Sequence, residues 1–151
     1  MTHMPSPEMM PVFASTKLKL HPDTYSIVSL PVEKQEKALE LFKPLSPFSS
    51  ITVDTEEVSL ILKTSDWDNL KKHFPVFEEE APYSVITFDI VLDLCLVGFL
   101  SVVSAVLADE EISIYAVSTY LRDHILVKTS EADRAMRVLD DLIQRCNSTK
   151  S

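Results

Sequence analysis

The residues of this chain best suited to chemistry lie between Leu94 and Lys128, in LCLVGFLSVVSAVLADEEISIYAVSTYLRDHILVK. Glycine occurs once in the chain, at Gly98. It stands between an apolar strand and an amphipathic helix, where a residue without Cβ lets backbone approach a ligand closely. The N–H groups that open the following helix have no intrahelical partner and face whatever occupies that point. Downstream, Ser118, Thr119 and Tyr120 end one strand, and Asp123 and His124 begin the next. Ser118, His124 and Asp123 together suggest hydrolase chemistry. That chemistry needs a positioned base, an orienting acid and an oxyanion site, and the glycine-rich turn that presents such a serine is missing. The expectation is a non-catalytic chain. Each residue also has an ordinary reading: Gly98 as a tight turn, Ser118 and Thr119 as strand-end hydroxyls, Asp123 as a solvated turn residue.

Other chemistries find little support. One glycine excludes a phosphate loop and a dinucleotide fingerprint. His3, His21 and His73 are scattered without metal-ligand spacing, so neither metal nor cofactor is expected. The formal net charge of −9 makes nucleic acid and anionic lipid unfavourable partners. Cys95 and Cys146 read as small buried hydrophobes, which suits a reducing, cytoplasmic setting. The apolar run Leu94 to Leu107 is shorter than the roughly 20 residues of a membrane span. Residues 1–14, rich in proline and methionine, lack the basic and apolar regions of a signal peptide and read as a flexible tail.

Elements that position these residues alternate along the chain. Tyr25 to Leu30 is β-rich, and Pro31 suits the first turn of a helix reaching about Lys43. Ser49 to Val53 and Val58 to Lys63 form strands about the polar turn Asp54 to Glu57. Asp66 is expected to cap a short helix that buries Trp67, Leu70 and Phe74. The acidic run Glu78 to Glu80 reads as a solvated linker. The order then repeats: a strand over Tyr83 to Val91 and a helix burying Phe99, Val102, Val103, Val106 and Leu107. Strands over Ile112 to Ser118 and Asp123 to Lys128 follow. Ser130 to Asp133 resembles a capping box, and the helix after it buries Ala132, Ala135, Met136, Leu139, Leu142, Ile143 and Cys146.

Two strand–helix–strand–strand–helix units predict an α+β, ferredoxin-like fold with antiparallel sheets and helices on one face. The units are expected at 15–80 and 81–146, with 147–151 as a second tail. Two complete units need eight strands, and seven are counted when Thr16 to Leu20 is included. A strand must therefore be lent between the units, or supplied by another copy.

The residues Ile112 to Tyr120 and Asp123 to Lys128 resemble the central hairpin of an ACT domain. The variety is that of aspartate kinase regulatory regions and of the cytosolic arginine sensor for the growth-controlling kinase pathway. Phe48 to Leu70 resembles the first-repeat hairpin of that sensor. The resemblance implies a regulatory module that binds an amino acid between units, beside a helix N-terminus. Carried over, it names Val97, Gly98, Phe99 and Ser101, with Ser118, Thr119 and Tyr120 from the facing strand. Open amides near Gly98 would hold an α-carboxylate, the hydroxyls would add hydrogen bonds, and Asp123 would meet an amine or cationic side chain. Because the sensor resembles four such units and this chain two, the ligand interface implies a homodimer, and a sensor implies a regulated protein partner. The alternative is an ACT-like interaction module without ligand, or a regulatory subunit in an amino-acid-derived biosynthetic pathway.

Overall fold

A computed structural model describes residues 3–148. Five helices and seven strands follow one another among these residues, and they divide into two units. One is continuous, Pro22–Tyr83; the other is split, joining residues 3–21 to 84–148.

The continuous unit runs β2 (Tyr25–Pro31), α2 (Gln35–Phe42), β3 (Ser50–Val53), β4 (Glu57–Lys63), α3 (Thr64–Leu70) and the first half of β5 (Glu78–Asp89). Its strand order is β3-β4-β2-β5. The inward alternation of β2 and β4 puts Val28, Leu30, Val58, Leu60 and Leu62 against Ala38, Trp67 and Phe74. The polar turn forms as expected: the Asp54 carboxylate accepts the Glu56 and Glu57 amides at 2.7 and 2.8 Å.

The split unit takes β1 (Lys17–Leu20) from the N-terminal region and adds the second half of β5, α4 (Phe99–Asp109), β6 (Tyr115–Ser118), β7 (Asp123–Lys128) and α5 (Ala132–Ser148). Its order is β1-β5-β7-β6, with β1 antiparallel to β5 in the register Lys17↔Asp89 to Leu20↔Ile86. Counted in chain order, the sheet of the continuous unit reads 4-1-3-2, the ferredoxin-like arrangement, and that of the split unit reads the same once β1, which comes first in the chain, is counted last. The shortage of one strand is thereby explained. β5 supplies residues on both sides of Tyr83, and the N-terminal region lends β1 to the distant half of the chain.

Several expectations are corrected. Residues 3–14 are no tail where they are described: α1 (Met10–Ala14) forms there, and Met9 and Phe13 are buried with Phe88, Phe99 and Leu139. Phe13 stacks on Phe99 at 4.5 Å between ring centroids. Its ring needed a core, and α4 with β5 provided one. The C-terminal tail overlaps α5 as far as Ser148; residues 149–151 lie outside the described part. The acidic run is strand rather than linker: Glu78, Glu79 and Glu80 pair with Ser29, Val28 and Ile27. Glu79 is held there by bonds from Ser26 Oγ at 2.6 Å and Trp67 Nε1 at 3.1 Å, partners that local charge could not reveal. Asp66 does not cap α3, which begins at Thr64. Nor is there a capping box, since a 3₁₀ turn over Thr129–Glu131 precedes α5 and Glu131 pairs with Arg134. Cys95 is exposed, whereas Cys146 is buried and its burial pushes the thiol pKa up.

Strand β6 starts later than the alternation suggested. Ile112 instead completes the end of α4, where its amide bonds Leu107 O at 3.0 Å and the Glu111 amide bonds Ala108 O at 2.9 Å. These are the two bonds of a Schellman motif, with Glu111 at φ 57° in the position usually given to glycine.

Candidate functional site

Gly98 is the N-cap of α4 at φ 98°, and no side chain caps the helix. Left-handed backbone is strained for any residue with a Cβ, which accounts for the lone glycine here. The intrahelical ladder begins with Val102 N–H bonding Gly98 O at 3.2 Å. The amides of Phe99, Leu100 and Ser101 therefore precede the ladder, the position that gives a helix N-terminus its partial positive charge.

These amides stand at one side of a cleft of about 340 Å³. Gly98, Phe99, Leu100 and Ser101 line it on the helix side, and Ser118, Thr119, Tyr120, Leu121, Arg122 and Asp123 on the hairpin side. Leu92, Asp93, Leu94 and Leu96 form the connecting loop. Every lining residue belongs to the split unit. Of the residues singled out from sequence, Gly98, Phe99, Ser101, Ser118, Thr119, Tyr120 and Asp123 come together here. Val97 does not line the cleft and is 86% exposed. Phe99 contributes mainly as core, stacked on Phe13 and edge-on to Phe88 at 5.4 Å. The same stacking fixes the helix start.

The hairpin wall is held by its own polar groups. Ser118 Oγ donates to Asp123 Oδ1 at 2.7 Å, across the pair Ser118↔Asp123. Thr119 closes the turn, its amide and its hydroxyl both donating to Arg122 O at 2.9 Å. Leu92 N–H bonds Leu121 O at 2.8 Å, tying the loop to the turn. Arg122 Nε meets Asp89 Oδ1 at 3.0 Å. Sequence reasoning did not single out Leu92, Asp93, Leu94, Leu96, Leu100, Leu121 and Arg122, which line the cleft only because the loop and the turn close on it.

His124 does not join Ser118. Its ring bonds Thr87 Oγ1 through Nδ1 at 2.8 Å and Thr119 Oγ1 through Nε2 at 3.2 Å. Burial holds its pKa below the usual histidine value, and His21 and Arg122 add to this while Asp123 opposes. A neutral ring with both nitrogens engaged in this way is not poised as a base for Ser118. Among the described residues no three His, Cys, Asp or Glu side chains are grouped to hold a metal, and no helix is long and apolar enough to cross a membrane.

Residues 78–141 match the family model of the ACT domain. Comparison with curated proteins gives no match. Among solved structures, the fold is similar to a Vibrio cholerae protein described as of unknown function and a possible transport protein. That match has a TM-score of 0.72 and 21% identity, covering 90% of this chain and 96% of the other. It is also similar to aspartate kinase of Clostridium acetobutylicum, with a TM-score of 0.68 and 11% identity over 85% of this chain and 34% of the enzyme. The ligand-free regulatory subunit of aspartate kinase from Thermus thermophilus gives 0.62 and 9%, over 85% and 97%. In fold the chain is similar to this aspartate kinase regulatory subunit along almost its whole length.

Proposed function

We propose, from the ACT domain match over residues 78–141 and the likeness to an aspartate kinase regulatory subunit, that this protein is a non-catalytic regulatory module that binds an amino acid. The observation that carries the reading is the cleft at Gly98. It joins uncapped helix amides, which suit a carboxylate, to the Ser118–Asp123 pair, which suits an ammonium group. The leucines of the loop and turn offer apolar contact to the rest of the molecule.

One unit lines the cleft, so the facing wall belongs to a second copy of the chain in this reading. Val91, Leu94, Val97 and Tyr120 support it, being large apolar side chains left exposed in the same stretch of sequence as the cleft. Such residues favour association when they gather on one surface. Ligand held between copies would select one arrangement, and a protein partner would read it. The coupling is reciprocal, so that partner tightens ligand binding by the same factor.

Isothermal titration against each proteinogenic amino acid, with light scattering for mass, tests this. The expected result is heat with at least one amino acid and a dimer mass. No heat at millimolar concentration removes the amino-acid reading. A dimer without any ligand response favours the interaction module, for which the exposed apolar side chains are then the whole function.

A further inference from the structure

Strand β1 is the outermost strand of the split unit's sheet, and among the described residues its one ladder partner is β5. The register fixes which of its groups look outward. His21 N–H bonds Val85 O at 2.9 Å, so this pair continues Lys17↔Asp89 and Lys19↔Thr87 as a series of hydrogen-bonded pairs. In an antiparallel ladder such pairs alternate with pairs whose amides and carbonyls turn away from each other. Leu18 and Leu20 therefore present their N–H and C=O groups at the open edge. Their side chains share the face of their register partners Phe88 and Ile86, which are core residues. Those of Lys17 and Lys19 take the other face.

Alongside this edge runs a groove of about 600 Å³ between β1 and one flank of α5. Leu18, Met136 and Ile143 give it an apolar lining, while Arg137 and Asp140 place opposite charges on the helix side. Asn147 Nδ2 donates to Ala14 O at 3.2 Å and ties α5 to α1 there. Leu20 shares the core face and is still 37% exposed, because the sheet ends at β1. We propose that this edge binds an extended segment of a protein partner in which acidic and apolar residues alternate. An open edge beside a helix-lined groove is the geometry of strand addition, in which main-chain bonds give affinity and alternate side chains give specificity.

The alternation of β1 sets the chemistry of that segment. Residues opposite Leu18 and Leu20 exchange hydrogen bonds with them, and their side chains fall on the groove side, which suits apolar groups. Residues opposite Lys17 and Lys19 fall on the other face, beside two exposed ammonium groups on a strand with no acidic residue. That face suits carboxylates. Asp89, opposite Lys17, is bonded by Arg122 at 3.0 Å, and Thr87, opposite Lys19, is uncharged. A second copy of the chain fits poorly. Pairing β1 with β1 through Leu18 and Leu18, or through Leu18 and Leu20, sets lysine directly against lysine, and like charges so placed repel. Lysines on an exposed strand guard against self-pairing, and the same charges admit a partner of opposite sign. This surface is separate from the cleft at Gly98, so the proposal does not rest on the amino-acid reading.

NMR titration of the full chain with a synthetic hexapeptide of alternating glutamate and leucine, blocked at both ends, tests the assignment. Shift changes should concentrate at residues 17–20 and at Met136 and Ile143, and amide exchange of Leu18 and Leu20 should slow. A hexapeptide of alternating lysine and leucine should bind about threefold more weakly or worse, the effect of exposed charge pairs. Lys19→Glu should abolish that preference. Leu20→Pro removes an outward N–H and none of the bonds to β5. It should weaken the acidic peptide about fivefold or more, the equivalent of one net hydrogen bond. Should Leu20→Pro fail to fold, the exposed change Lys19→Glu decides the matter. No saturable binding, equal affinity for the two peptides, or shifts confined to the Gly98 cleft overturns the proposal. Light scattering supplies the remaining arm: a wild-type dimer that Leu20→Pro converts to monomer assigns the edge to a second copy and overturns it too.

Discussion

His124 illustrates how one side chain links stability, pH and the cleft. Its folded pKa is depressed, first by burial and then by His21. A depressed histidine binds fewer protons folded than unfolded, so it contributes stability that is fully present above the unfolded value near 6.5 and is lost as pH falls through the folded value. Urea titrations at several pH values should show wild-type stability declining below about pH 6.5, and His124→Asn should flatten that part of the curve. A curve that falls equally in both forms would assign the decline to carboxylates instead. Ser118 and Asp123, paired across the same hairpin, are bonded to each other.

At the scale of elements, α4 has two left-handed residues at its ends and glycine at only one. Gly98 at φ 98° has room for a methyl group, since a Cβ would meet only Met9 Cε at 4.0 Å. The cost of Gly98→Ala is therefore conformational, about 1 kcal/mol. Glu111 at φ 57° carries the same strain in the wild type, and Glu111→Gly should recover about 0.5–1 kcal/mol of it. Chemical denaturation of the two variants should give opposite signs. The same sign for both would mean that contacts, not backbone strain, govern these caps. β5 is the other telling element: its acidic start pairs with β2 because Glu79 finds Ser26 and Trp67.

For the molecule as a whole, the order of the chain is not the order of the units. The N-terminal region completes the unit built mostly from residues 84–148. Phe13, 1% exposed and stacked on the first residue of α4, tests this dependence. Phe13→Ala should cost about 3–5 kcal/mol, seen as a lower urea midpoint. A loss below 1 kcal/mol would return residues 3–14 to the status of a loose tail.

Much was legible from residue pattern alone because it depends on local periodicity. The alternation in Tyr25 to Leu30 and Val58 to Lys63, the helical spacing from Phe99 to Leu107, and the seven strands short of two complete units all belong to short windows of sequence. Gly98 and the Ser118–Asp123 hairpin could be read for the same reason, since a lone glycine and a strand-end pair are local facts. Residues whose roles depend on distant partners were not legible. Glu79 looked like solvent-facing charge, Phe13 like a tail residue, and His124 had no partner that the sequence could name. Each took its role from groups far along the chain: Ser26 for Glu79, Phe99 for Phe13 and Thr87 for His124. Periodicity shows which face of an element is buried, but the partner of a buried polar group or an isolated aromatic is chosen only when the strands pair.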